Sequence, residues 1–259
     1  MGRGNDVNHM YEDLNLNNLP DGKEKIWHYL DFAKFMFLIS EKKLHFSSAE
    51  QLTDDFEGSL PKQDVEDRDE QIRRICNNNK NEEEVEKIID RNRNLSRQFR
   101  KYMHLNCWHF NEDESLAMWN LYSMAERGIC IQSTIDRLIE CFKKEEKYYI
   151  SLGKVEYIDY SKWQGRIGFP IQRFLLKRKS FNFENEIRAL TPGGGRQPTE
   201  EHLRGRGIDI PIDIELLIEK VYISPQSPNW FFRLVKLMVQ KFDLTIKVHR
   251  SKMKDDALF

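Results

Sequence analysis

The chain has 259 residues, and its 41 Lys+Arg nearly cancel 42 Asp+Glu, for a formal charge of −1 at pH 7. With 39% hydrophobic and 12% aromatic residues it is too apolar for a disordered chain. The neutral balance excludes a chain-wide electrostatic grip on nucleic acid but leaves local basic surfaces open.

Residues 1–22, rich in Asn and Asp, are expected to form a flexible leader, followed by a single domain over 23–259. The leader lacks the apolar middle of a secretory signal, and no stretch approaches the roughly 20 apolar residues that span a bilayer. Cys76, Cys107, Cys130 and Cys141 form no CxxC pair and read as reduced thiols, so a cytoplasmic protein without a membrane partner is expected.

IWHYL (26–30) reads as a strand, and residues 31–43 as a helix with Phe32, Phe35, Met36 and Ile39 at helical spacing. LHFSS (44–48) reads as a strand and 53–61 as a polar turn. Residues 62–104 are heavily charged, with a narrow stripe at Val85, Ile88 and Ile89, and predict a solvated helical excursion. Its end carries Arg91, Arg93, Arg97, Arg100 and Lys101 without a local acid, a pattern open to a phosphate contact or to an ordinary basic helix face.

LNCWHF (105–110) is strand-like, and 111–127 predicts a helix whose acids occupy the first turn. Then come a strand at 128–133, a helix at 133–147 and a strand at 154–160. A basic, aromatic stretch follows at 173–184, with a strand at 185–190 and a glycine-rich loop at 191–207. The C-terminal part predicts strand, helix, strand, the helix capped by Ser227 and burying Leu234, Leu237 and Met238. The strands lack the regular βαβ rhythm of a doubly wound sheet, so the fold class is α+β.

Neither a phosphate loop nor GxGxxG, GxSxG or HExxH is present. His104, His109 and Glu112 match no common zinc spacing, so no metal is expected. Cys107 and His109 share a strand face but have no evident third group for a nucleophilic triad. The sharper signal is FENEIRAL (183–190). On a strand, Glu184 and Glu186 would share a face, and two carboxylates that close resist joint ionisation. The bland alternative is the solvent face of an edge strand. His28-Tyr29, on the first strand, offers stacking and hydrogen bonding to a polar ligand, or a purely structural pair.

Read in order, IWHYLDFAKFMFLISEKKLHFSS, LTDDFEG, SLAMWNLYSMAERGICI, KVEYIDY, LKRKSFNFENEIRAL and IEKVYISP resemble the bacterial family catalogued as domain of unknown function 2971. That family carries a His-Tyr first strand, an Asn-Asp-Pro-Phe-Glu-like turn, a Met-Trp-x-x-Tyr helix and a Lys-x-x-x-Trp-x-x-Glu-x-Glu-x-Arg segment. This chain departs from it with Thr53-Asp54-Asp55-Phe56-Glu57 at the turn and Phe181 at the Trp position.

The family in turn resembles the ADP-ribosyltransferase fold, which implies mixed sheets with surrounding helices, here with a charged helical insertion at about 62–104. The resemblance implies an NAD-consuming ADP-ribosyltransferase, a bacterial toxin or antiphage defence effector that modifies a nucleic acid or protein acceptor, with an antitoxin protein as a further partner. NAD is then substrate. Glu186 is implied as the catalytic carboxylate, Glu184 as the group that orients or deprotonates the acceptor, and His28 as the cofactor anchor. Tyr122, or else Tyr29, would stack on nicotinamide. Arg188 would orient Glu186 or meet the pyrophosphate, and Ser47 and Ser48 would line the cleft. The alternative is a non-catalytic nucleotide-binding or partner-binding module on the same fold.

Overall fold

A computed structural model describes residues 11–13, 19–76, 80–123, 125–142, 145, 147–193 and 207–254. The first strands and helices follow from local chemistry. Strand β2 (Lys25–Asp31) ends at Asp31, whose carboxylate accepts from Lys34 N–H at 2.8 Å and so caps helix α1 (Phe32–Glu41). Helix α1 buries Phe35, Leu38 and Ile39, and closes at Lys42, which takes a left-handed φ of 53° and donates to Leu38 O. Strand β3 (Lys43–Ser48) then runs back.

The predicted excursion is a helical hairpin, α2 (Lys62–Cys76) and α3 (Glu82–Tyr102). Asn81 and Glu84 form a reciprocal cap at the start of α3, where Glu82, Glu83 and Glu84 also suit the dipole. The basic end of α3 is not an unopposed patch. Arg93 donates to the buried Asp69 of α2 at 2.6 Å, and Lys101 lies 3.8 Å from Glu50.

Strand β4 (Met103–Phe110) follows α3 directly, earlier than the sequence predicts. Helix α4 (Leu116–Tyr122) is shorter than predicted because Ser115 caps it. The acids before that cap serve other partners: Glu112 binds Lys25, and Glu114 accepts from Trp119 Nε1 and Lys252 N. Strand β5 (Gly128–Thr134) leads into α5 (Ile135–Glu140), whose start is set by the Thr134 cap and which ends well before the predicted 147. The strand expected at 154–160 is two strands, β6 (Ile150–Lys154) and β7 (Glu156–Ile158).

Strand β8 (Leu176–Arg178) pairs in parallel with β7, and β9 (Glu186–Pro192) follows. Residues 194–206 of the predicted glycine loop lie outside the described residues, as do 1–10 and 14–18 of the leader, whose Tyr11–Asp13 forms strand β1. Strand β10 (Ile208–Pro211), the helical turn α6 (Ile214–Leu217), β11 (Lys220–Ile223), α7 (Asn229–Lys241) and β12 (Lys247–Arg250) complete the described chain. Pro228, not Ser227, precedes α7, and the Ser227 hydroxyl donates to Glu126 O instead. The helix buries Phe231, Val235 and Val239. Leu237, expected in the core, is exposed, because the inward stripe runs one residue away.

The main sheet is mixed, in the order β1-β6-β9-β4-β2-β5-β11-β12, with β3 joining β4 and β10 joining β3. The molecule is therefore α+β, with helices packed around a mixed sheet. Strand β4 is its spine. One edge pairs with β9 from Met103 to His109. The other edge is divided: the ladder to β3 ends at Leu105, and the ladder to β2 begins at His109. The sheet forks between those two points.

One face of the sheet carries the large core, including Ile26, Trp108, Ile187 and Ala189. The opposite face has two smaller apolar clusters. Met103, Leu105, Leu190 and Phe174 lie at one end; Trp27, Tyr29, Met118, Trp119 and Cys130 lie at the other. Strand alternation puts Cys107, His109, Glu186 and Arg188 on this same face, between the two clusters.

Candidate active site

The fork opens into a cavity of about 630 Å³. His28, Tyr29, Ser47, Tyr122, Glu184, Glu186 and Arg188 all line it. Ser48 does not: its hydroxyl accepts from Glu50 N–H and caps the short helical turn that follows β3.

His28 occupies the fork itself. Its ring lies 4.9 Å from Trp108, on the large-core side of β2, and Nδ1 donates to Cys107 O at 2.9 Å. That bond replaces a missing rung of the ladder. Burial, opposed by the Cys107 carbonyl and reinforced by Lys34 and His45, pushes the imidazole down to about 4. The ring is therefore neutral at pH 7, with Nε2 left as an acceptor. Asn106 closes the other prong of the fork, its Nδ2 donating to His45 O at 2.9 Å. Across β4, a strand spacing of about 4.8 Å puts β2 and β9 about 10 Å apart. His28 and Glu186 start from opposite faces of the sheet and reach one cavity because the sheet is split.

Glu186 opens β9. Its backbone N–H donates to Tyr157 Oη at 3.0 Å, and its carboxylate accepts from Lys177 Nζ at 2.6 Å and Arg188 Nε at 2.7 Å. Burial alone would raise this carboxyl; Arg188 and Lys177 overcome it and hold Glu186 well below the usual carboxylate range. Glu184 is not on the strand, contrary to the alternation expected from the sequence. It ends a short helical turn (Lys179–Glu184), and Asn185 takes a left-handed φ of 39° before β9 begins. The two carboxylates still converge, because Lys177 Nζ donates to both. Tyr122, 46% exposed at the wall, donates its hydroxyl to Glu184. Burial, then hydrogen bonding and charge from Glu186, push Glu184 up to about 7.

Two residues that sequence reasoning did not assign complete the site. Lys177 is buried, with Nζ also 3.5 Å from Glu57 Oε1. Glu57 is buried in turn and pairs with Arg188 through both oxygens. The turn that carries Glu57 is set by Asp54, whose carboxylate accepts from Phe56 N–H at 3.0 Å, and by Gly58 at φ 69°. The signal for both residues lay in the motifs: Lys177 is the leading Lys of the Lys-x-x-x-Phe-x-x-Glu-x-Glu-x-Arg run, and Glu57 ends the Thr-Asp-Asp-Phe-Glu turn.

Tyr29 is the weaker of the two stacking candidates. It is buried edge-on against Trp119, and its hydroxyl accepts from Ser115 N–H at 2.8 Å. At the far end of the cavity stand Lys34, Lys43 and His45, the last bonded to Asp209 at 2.7 Å. The cavity is thus acidic at the β9 end and basic at the α1–β3 end. Among the described residues, no group of three His, Cys, Asp or Glu side chains is arranged to hold a metal, and no helix is long and apolar enough to cross a membrane.

No protein-family model matches the chain, and no curated protein matches it. One solved structure, Thermus sp. 2.9 DarT in complex with NAD+, is similar at 10% sequence identity and a TM-score of 0.40, covering 91% of this chain and 98% of that one. A likeness at that level carries no argument about what this chain does. Its reading rests on its own residues.

Proposed function

We propose that the chain is an NAD-consuming ADP-ribosyltransferase. The observation that carries this reading is the convergence of two carboxylates at the cavity wall on one ammonium, Lys177, in surroundings that favour the ionised form of Glu186, paired with Arg188, and the protonated form of Glu184. Environments that push two neighbouring acids apart assign them different roles. The motif resemblance to a family akin to ADP-ribosyltransferases supports the same reading.

In this reading the C1′–N1 bond of NAD breaks and nicotinamide leaves with the bonding electron pair. The pyridinium becomes neutral, and the positive charge passes to the ribose as an oxocarbenium-like centre. Ionised Glu186 faces that charge and accepts from the ribose hydroxyl. The acceptor nucleophile bonds to C1′, and its proton passes to the Glu184 carboxylate. Tyr122 supplies the ring beside the nicotinamide, with Tyr29 behind it. Neutral His28 accepts a hydrogen bond from the adenosine side of the substrate, and Ser47 lines that end. Arg188 orients Glu186. A nucleic acid or protein acceptor, an antitoxin partner, a toxin or antiphage role, and a cytoplasmic setting with a leader at 1–22 ahead of one domain over 23–259 belong to the same proposal.

One observation favours a second reading: both cations of the site already engage Glu186, as in a structural ion cluster. A non-catalytic nucleotide-binding module would look the same. Incubation of the purified chain with NAD separates the two. Nicotinamide release that falls by about 10²–10³ in Glu186→Gln supports the transferase. NAD binding without release supports the module.

A further inference from the structure

We propose that Lys177 is a positioning residue whose ammonium draws the carboxylates of Glu184 and Glu186 to one point, and that without it the two are not held together while both are ionised. This rests on the transferase reading only for its consequence in turnover; the geometry stands by itself.

Glu184 leaves the helical turn and Glu186 enters the strand with a left-handed residue between them, so the backbone does not aim the two side chains alike. Lys177 does. It comes from β8, seven and nine residues earlier, and its single nitrogen donates to both. The Lys177 nitrogen lies 4.9 Å from the centre of the Phe181 ring, which covers the cluster on that side. From the opposite wall the Tyr122 hydroxyl donates to Glu184.

The charge count makes the dependence strong. Glu57, Glu184 and Glu186 are three buried carboxylates against two buried cations, Lys177 and Arg188. Arg188 is occupied on one side by both oxygens of Glu57 and on the other by Glu186, and has no contact with Glu184. Removing the Lys177 charge therefore leaves the two carboxylates without a shared cation, and Glu184 is then held by the neutral Tyr122 of α4 and by a proton shared with Glu186. The remaining groups around the pair are His109 and Cys107 on β4, and Tyr157 on β7. Burial keeps each of these neutral at pH 7.

The test is a carboxyl carbon NMR titration of Glu184 in the full chain as wild type, Lys177→Met and Lys177→Arg, with nicotinamide release measured in parallel. In Lys177→Met the Glu184 midpoint is expected to rise by about one unit or more, and in Lys177→Arg to return toward wild type. Turnover should fall at least tenfold in Lys177→Met with a smaller change in KM, and its acid limb should move to higher pH. An unchanged Glu184 midpoint in a folded Lys177→Met overturns the proposal. If that variant does not fold, Lys177→Met/Glu57→Gln removes one charge of each sign and takes its place, with the same two outcomes. A wild-type chain that releases no nicotinamide ends the transferase reading, and the carboxyl titration still decides the role of Lys177.

Discussion

Glu57 and Arg188 stand 131 residues apart in the chain and meet in a two-pronged ion pair, with the Arg188 Nη1 and Nη2 atoms donating at 2.7 and 2.8 Å. The Arg188 Nη1 atom also donates to Phe174 O at 2.7 Å, so this one guanidinium ties the Glu57 turn, the stretch before β8 and strand β9 together. Breaking one side of a buried pair costs more than the pair contributes, about 3–5 kcal/mol. Glu57→Gln should therefore lower the urea midpoint markedly, whereas Glu57→Leu/Arg188→Met should lose less than the sum of its single variants. Additive losses would show that the two residues do not act as a unit.

His28 and Glu184 should give the stability curve opposite slopes. His28 titrates at about 4 when folded against 6.5 ordinarily, so the unfolded chain binds more protons between those values. Its contribution is complete above pH 6.5 and is lost as pH falls toward 4. Glu184 moves the other way, from 4.5 up to about 7, so the folded chain holds the extra proton and stability falls as pH rises through that window. Between pH 4.5 and 6.5 the two contributions nearly cancel in wild type, so His28→Gln should leave stability falling with pH and Glu184→Gln should leave it rising. Denaturant melts across that range read both, and curves parallel to wild type would refute the assignments.

Tyr122→Phe removes the hydroxyl that donates to Glu184 and leaves the ring in place. A hydrogen bond to a charged group contributes about 1.5–3 kcal/mol, so a loss of roughly tenfold or more in nicotinamide release is expected. Glu184 should also titrate higher, moving the acid limb of the pH–rate profile upward. A profile superimposable on wild type would remove Tyr122 from the site.

Gly58 tests the turn that delivers Glu57. Its φ of 69° disfavours any side chain, and an added Cβ would lie 2.2 Å from a ring carbon of Phe174. Gly58→Ala should cost more than the roughly 1–2 kcal/mol of the backbone conformation alone. Gly168→Ala is the control, since its nearest neighbour is the end of the Gln172 side chain at 3.3 Å. Similar melting temperatures for the two variants would show that the turn tolerates a side chain.

Helix α1 was legible because its signals are local: an Asp cap, an apolar stripe and a stop all lie within twelve residues. His28, Glu184 and Glu186 were legible because short motifs carry them. Lys177 went unassigned although the same motif carries it, since it stands beside Arg178 and Lys179 and only its register in the motif separates the inward cation from its neighbours. Arg178 turns outward to Asp54, a partner from a distant turn. The same holds for Arg93, which looks unopposed in its own stretch and finds Asp69 on the neighbouring helix. The starts of α4 and α5 were drawn too early because helical spacing extends upstream of the Ser115 and Thr134 caps where the helices begin.

The divided edge of β4 has a consequence for how such a site can change over time. An unpaired strand edge ordinarily sits at the margin of a sheet, where it invites another strand. Here it lies in the interior, plugged by one imidazole and one carboxamide. The cavity is thus a product of strand connectivity, not of small side chains leaving room. Its walls can be rewritten residue by residue without closing it, so the opening is inherited with the topology while the chemistry inside is free to diverge.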